Sequence, residues 1–86
     1  MMELYDRENL IHDLEPAVNA AVDKIYKEDW KVWDAFNWAV DNFHSQHNLI
    51  DRSYHSMAAM DVMYHKLKPH ERNLLAMRIP NGETYD

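Results

Sequence analysis

Cysteine is absent from this 86-residue sequence, glycine occurs once, at Gly82, and proline occurs three times. Without cysteine the chain has no disulfides, no thiolate metal ligands and no cysteine nucleophile. One glycine, located near the end of the chain, supplies neither a phosphate-cradling loop nor the strained turn of a nucleophilic serine. We therefore expect a protein that is not an enzyme and that needs no cofactor.

Long apolar runs are also lacking. No stretch approaches the roughly 18 apolar residues of a membrane span. The first residues have neither the basic region nor the apolar run of a signal peptide. We expect a cytoplasmic protein that does not associate with membranes. Eighty-six residues correspond to one domain, with residues 1–6 as an N-terminal arm and residues 80–86 as a short C-terminal tail.

The formal charge of −6 is spread unevenly along the chain. Residues 1–51 contain eleven acids against four Lys and Arg, whereas residues 52–79 contain five Lys and Arg against two acids. Because phosphate affinity comes mainly from Lys and Arg, the acidic half argues against direct binding of nucleic acid. It favours a protein partner with a basic surface, or a homodimer in which the opposite halves of two copies meet.

Apolar residues recur at helical spacing, and no segment alternates in the manner of a strand. The pattern predicts one helix from about Arg7 to Lys27, bent or split near Pro16. A second helix is predicted from an N-cap at Asp29 to about His47. The core faces predicted for these two helices consist of Leu10, Ile11, Leu14, Val18, Ala21, Val22 and Ile25, and of Val32, Trp33, Phe36, Ala39, Val40, Phe43 and His47.

Two shorter helices follow. The third is capped by Asp51 or Ser53 and runs to about Leu67, and the fourth runs from Pro69 to about Arg78. The stripe predicted to be buried on the third helix consists of Met57, Met60, Tyr64 and Leu67, with Met63 at its edge. A second, less pronounced apolar face consists of Ala58, Ala59 and Val62, and the fourth helix presents Leu74, Leu75 and Met77. Short loops between such helices predict an all-α fold, a compact bundle of three to four helices.

Six histidines require that metal binding be considered. Asp41, His44 and His47 are spaced three residues apart on the second helix, and His55 on the next helix is a candidate third ligand beside the two histidines. Imidazoles at the edge of a core face also pack their rings while keeping a polar edge in water. We favour this second interpretation and predict no metal site.

Trp38 is the sharpest functional signal, because it projects from the side of the second helix opposite to its core face. Trp30, Asp34, Asp41 and Ser45 lie on the same outward strip. Tryptophan is enriched among binding hot spots, and acids steer basic partners. We therefore predict Trp30, Asp34, Trp38 and Asp41 as partner-binding residues. The alternative is that another element covers Trp38 within the monomer.

The segment from Ala59 to Asp86 contains a second signal. Its distinctive residues are Leu67, Pro69, Glu71, Arg72, Leu75, Arg78, Gly82, Thr84 and Tyr85. This string resembles the first half of region 4 of bacterial sigma factors and of related phage transcription regulators. In that family a DNA-reading helix-turn-helix follows, whereas this sequence reaches Asp86 where that half would begin. The resemblance implies a remnant or mimic that contacts a transcription partner without reading the major groove.

The profile as a whole is similar to the small, acidic, cysteine-free proteins with which phages disable host enzymes, including anti-CRISPR proteins. Several such proteins present carboxylates where phosphates would lie. We therefore expect a non-catalytic protein-binding module that inhibits a nucleic-acid-binding host protein. The alternative is a transcription-related, sigma-region-4-like fragment that acts through its basic half, with Lys66, Lys68, Arg72 and Arg78 at the contact surface.

Overall fold

A computed structural model describes residues 7–47 and 51–77, which form four α-helices and no strand. The helices are α1 (Arg7–Glu28), α2 (Val32–Gln46), α3 (Arg52–Tyr64) and α4 (Pro69–Ala76). The first three pack against one another, and α4 packs across α2 and α3. The prediction of an all-α bundle is confirmed. The predicted arm and tail, together with Arg78, lie outside the described residues.

None of the helices within residues 7–47 and 51–77 has the length and apolar character needed to cross a membrane. Their apolar faces instead meet in one shared core. The buried residues of α1 and α2 are Leu10, Leu14, Val18, Ala21 and Ile25, and Val32, Ala35, Phe36, Ala39, Val40 and Phe43. These faces match the predicted ones except that Ala35 joins the core and that Ile11, Val22, Trp33 and His47 lie half-buried at its edge.

The first helix runs without a break through Pro16, so the option of a split helix is excluded. Proline has no N–H to donate to the carbonyl of His12, four residues earlier, and its ring crowds that carbonyl. Pro16 is exposed. Because the proline is on the outer side of α1, the core face keeps its helical phase through the position where a hydrogen bond is missing.

The connection between α1 and α2 differs from the prediction, because Asp29 does not cap α2. The N-cap is Lys31, and Asp29 has a φ of 62° just beyond the end of α1. Aspartate is one of the few non-glycine residues that adopt this left-handed conformation, which commonly ends a helix. The N–H of Trp30 then donates to the carbonyl oxygen of Lys24 at 3.0 Å, which folds the connection back on α1.

The orientation of α3 is the main correction to the predicted core. Met57 is 67% exposed, and Met60 and Tyr64 are only half-buried at the edge of the core, whereas Leu67 of the predicted stripe is buried as expected. The buried residues of α3 are His55, Ala58, Ala59, Val62 and Met63, and Leu67 follows them in the core. Small residues let two helices pack closely, because the distance between helix axes depends on the side chains at the contact. The face considered secondary in the sequence is therefore the core face.

The short helix α4 is held by polar side chains as well as by its buried Leu74 and Leu75. The hydroxyl of Tyr26 accepts the N–H of Lys68 at 2.8 Å and donates to Glu71 Oε1 at 3.0 Å. Burial, as the main cause, raises the pKa of Tyr26. A helix of two turns is not stable alone, so these contacts help to fix its start. Met77, predicted to be on the core face, is instead 56% exposed.

The left-handed position of Asp29 leads to a test with two substitutions. Asp29→Gly should raise the free energy of unfolding by about 0.5–1 kcal/mol, because glycine adopts a positive φ without steric cost. Asp29→Val should lower it by at least about 1 kcal/mol, because a β-branched residue is a genuine outlier there. Urea unfolding followed by circular dichroism measures both effects. Equal stability of the two variants would contradict the assigned conformation.

Candidate partner-binding site

Trp30 and Trp38 meet on the surface between α1 and α2, where both indoles are half-buried. Their ring centroids are 6.1 Å apart, with the planes at 74° in an edge-to-face arrangement. The ammonium of Lys24, on α1, lies 4.6 Å from the centroid of Trp30 and 4.7 Å from that of Trp38. Both distances are within the range of a cation–π interaction. We call Lys24, Trp30 and Trp38 the Trp–Lys cluster.

The local chain path explains how this cluster forms. The left-handed Asp29 turns the chain so that Trp30 lies beside the last turns of α1, and Trp38 follows two helical turns into α2. Lys24 lies 4.0 Å from Glu28 as well as over both rings. The sequence placed Trp30 and Trp38 on one strip, and the structure brings them together. Lys24 was missed because only the packing of α1 against α2 reveals its role.

The two predicted aspartates have different surroundings. Asp34 is exposed one turn before Trp38, and among the described residues it forms no ion pair. Asp41 faces α3, where its Oδ1 accepts a hydrogen bond from Arg52 Nε at 2.7 Å. Arg52 also donates to Asn37 Oδ1 at 3.2 Å. The predicted strip is therefore divided, with Asp34 beside the Trp–Lys cluster and Asp41 bound to the neighbouring helix.

The three basic residues of the alternative surface that the structure describes form contacts within the chain. Lys66 pairs with Glu15 at 3.4 Å, and the ammonium of Lys68 lies 5.2 Å from the Tyr26 ring centroid. Arg72 donates through Nε to the Tyr64 carbonyl oxygen at 3.2 Å and through Nη2 to that of Leu67 at 3.1 Å. The last carbonyl groups of a helix lack N–H partners within that helix, so Arg72 acts as a C-terminal cap of α3. The contacts of Arg72 thus stabilise the fold.

Three histidines, His44, His47 and His55, lie close together between α2 and α3, and two of them, His47 and His55, pack against the ring of Phe43. The Nδ1 atoms of His44 and His55 are 3.1 Å apart, which requires one to donate and the other to accept. His55 is fully buried, and its Nε2 has no hydrogen-bond partner among the described residues. The ring of His47 stacks on Phe43 at 4.1 Å between centroids, and its Nδ1 lies 3.1 Å from the Phe43 carbonyl oxygen.

This histidine cluster does not form a three-ligand site. Within residues 7–47 and 51–77, no three His, Asp or Glu side chains are placed to hold one metal ion. Burial, followed by the proximity of His44 and His47, lowers the pKa of His55. A buried imidazolium would be desolvated, and beside a second charged ring it would also be repelled. The arrangement therefore favours a neutral His55.

No protein-family model matches this chain, and no curated protein or solved structure is detectably similar to it. The resemblances to sigma-factor region 4 and to anti-CRISPR proteins accordingly stay hypotheses. The Trp–Lys cluster places two half-buried indoles one helical turn from the exposed carboxylate of Asp34.

The buried His55 leads to a prediction about pH. Because its folded pKa is below the ordinary value of about 6.5, the unfolded state binds more protons as the pH falls below that value. The free energy of unfolding should have its full value at pH values above about 6.5. It should decrease at lower pH, by up to about 1.4 kcal/mol per pH unit. His55→Leu should flatten this dependence in urea unfolding between about pH 7.5 and 5.5.

The matched control is His12→Gln, which removes an exposed histidine of α1. It should keep the pH dependence of the original protein. If His55→Leu instead leaves the slope unchanged, the acid sensitivity belongs to other groups, and the assignment of a neutral, buried His55 is wrong.

Proposed function

We propose that the protein is a non-catalytic protein-binding module and that it contacts its partner through the Trp–Lys cluster together with Asp34. The observation that supports this most directly is the pair of half-buried indoles of Trp30 and Trp38, together with the exposed carboxylate of Asp34 one helical turn before Trp38. Tryptophan is enriched among hot spots because one ring buries a large apolar area and still presents a polar N–H.

The order of the cluster favours tight binding. Trp30 and Trp38 hold each other edge to face, and Lys24 packs over both rings. Side chains that are already fixed lose little rotamer freedom when a partner covers them. The partner would therefore contact the exposed parts of two aromatic rings at a lower entropic cost than flexible side chains would require.

The charge of the chain indicates the kind of partner. Residues 1–51 contain seven more acids than Lys and Arg, and Asp34 is exposed one helical turn before Trp38. A basic surface would be steered to this half of the protein. Basic surfaces of this kind bind phosphates in proteins that handle nucleic acid. We therefore infer inhibition of a nucleic-acid-binding host protein, by occupation of a site that otherwise holds phosphates.

Asp41 has a secondary place in this proposal, since a cation of the partner would share its carboxylate with Arg52.

The alternative, a transcription-related fragment acting through Lys66, Lys68, Arg72 and Arg78, receives less support. Lys66 is paired with an acid, and Arg72 caps α3. Charge reversal at Arg72 would also remove that cap, so it would not distinguish the two functions cleanly.

The test uses two tryptophans of α2 as a matched pair. Trp38→Ala should weaken partner binding by about 2 kcal/mol or more, as expected for an interface hot spot. Trp33→Ala removes an equally large, half-buried side chain from the other edge of α2, where Trp33 stacks on Phe36 at 5.0 Å between centroids. It should bind as the original protein does. Both variants are first compared by circular dichroism and urea unfolding.

The measurement has two stages. Affinity capture from a lysate of the source organism, with the original chain and both variants as baits, identifies a protein lost only with Trp38→Ala. Titration of that purified protein with labelled nucleic acid then tests competition, which the original chain and Trp33→Ala should produce. Equal recovery by all baits, or a partner that keeps its nucleic acid, would contradict the proposal.

A further inference from the structure

The Trp–Lys cluster is a site that already holds a cation. The ammonium of Lys24 lies 4.6 Å from the ring centroid of Trp30 and 4.7 Å from that of Trp38, so one cation interacts with both rings. The face of an aromatic ring is its negative part and attracts positive charge. A carboxylate oxygen of Glu28 lies 4.0 Å from the same ammonium. Two aromatic rings and a carboxylate therefore favour positive charge at one position on the surface.

This position can be reached from solvent. Trp30 and Trp38 are half-buried, and the side chain of Lys24 keeps 22% of its exposure. Trp38 also lines a groove of about 450 Å³ between α1 and α2, next to Pro16 and Ala17 of α1. A side chain of another protein can therefore approach the tryptophans without any change in the packing of the helices.

Lys24 opposes a basic partner for as long as its ammonium stays over the rings. A cation of the partner would meet a like charge at the position that suits it best, and like charges a few Å apart repel each other. Glu28 gives Lys24 a second place, because the two residues are one helical turn apart on α1 and the Glu28 side chain is 57% exposed. Lys24 can thus leave the rings and keep an ion pair.

Arginine is better suited than lysine to replace this ammonium. Its guanidinium group is planar, stacks on aromatic faces and is more weakly hydrated than an ammonium, so it loses less hydration when it covers a ring. Trp30 and Trp38 hold each other edge to face, so both rings stay in place when Lys24 leaves. The rings therefore present ordered faces to an incoming guanidinium.

We propose that an arginine side chain of the partner displaces Lys24 from Trp30 and Trp38 and stacks on their rings, while Lys24 moves to Glu28. This inference rests on the proposed function, since it names the group with which a basic partner contacts the Trp–Lys cluster. Lys24 is then a competitor within the chain, and basic groups that stack poorly on indole do not displace it. Such competition contributes to specificity because it disfavours the wrong ligands.

The first experiment measures binding of a fluorescein-labelled peptide of nine arginines by fluorescence anisotropy. Lys24→Met should bind this peptide about two- to fivefold more tightly than Lys27→Met, the factor that one exposed cation–π interaction supplies. Lys27 is the matched control, since it is exposed on the same part of α1 and pairs with Asp23 at 3.6 Å. Each substitution removes one positive charge, so the long-range attraction of the peptide changes equally.

The contribution of the rings is tested in the background of Trp38→Ala. There Lys24→Met should bind no more tightly than Lys27→Met, because the site for which Lys24 competes has lost one of its rings. A peptide of nine lysines carries the same charge and should gain less from Lys24→Met than the arginine peptide does. Circular dichroism checks that each variant is folded, and Lys24→Gln replaces Lys24→Met if the latter is not.

The displacement itself is observed through the Hε protons of Lys24 in the original chain. These protons lie near two indole rings, whose ring currents shift their nuclear magnetic resonance signals away from those of the other lysines. The spectrum of Lys24→Met identifies the signals by their absence. Titration with the peptide of nine arginines should move them toward the position of the other lysines.

Three results would overturn the proposal. Lys24→Met and Lys27→Met could bind the arginine peptide equally, the difference between them could persist in the background of Trp38→Ala, or the Hε signals of Lys24 could keep their shift while the peptide is bound. A failure of the proposed function has a different sign, since host proteins would then be recovered equally by the original chain and by Trp38→Ala. The two failures are therefore distinguishable.

Discussion

The close packing of α3 against α1 and α2 is the constraint on which the rest of the structure depends. Ala58 and Ala59 are fully buried at this contact. With the two alanines and Met63 turned inward, Met57 lies on the outer side of α3 and Met60 lies at the edge of the core. The same rotation of α3 carries His55 into the core and brings Arg52 within reach of Asp41. One packing choice thus sets both the polar interior and the apolar exterior of this helix.

The second helix presents different chemistry at its two edges. The edge toward α1 holds Trp38, which packs with Trp30 and Lys24, and the edge toward α3 holds Trp33 above Phe36.

The buried imidazole of His55 lowers the stability of this small core. A buried imidazole nitrogen without a partner costs free energy in an apolar environment, and His55 Nε2 has no hydrogen-bond partner among the described residues. A domain of this size buries a limited fraction of its surface, so its stability is expected to be modest. Other polar side chains stabilise the fold through hydrogen bonds, since Arg72 caps α3 and Tyr26 fixes the start of α4. The acid sensitivity predicted above follows from the burial of His55, which lowers the pKa of its imidazole.

The sequence by itself determined the four helices and the core faces of α1 and α2, because the helical spacing of apolar residues can be recognised within each segment without knowing its neighbours. It also placed Trp30 and Trp38 on one strip. The tertiary structure decided which side of α3 is buried, since two apolar faces are equally acceptable in an isolated helix. It decided too that Lys24 joins the tryptophans and that Asp41 binds Arg52. Those pairings arise only when helices cross, and no spacing along the chain encodes where they do.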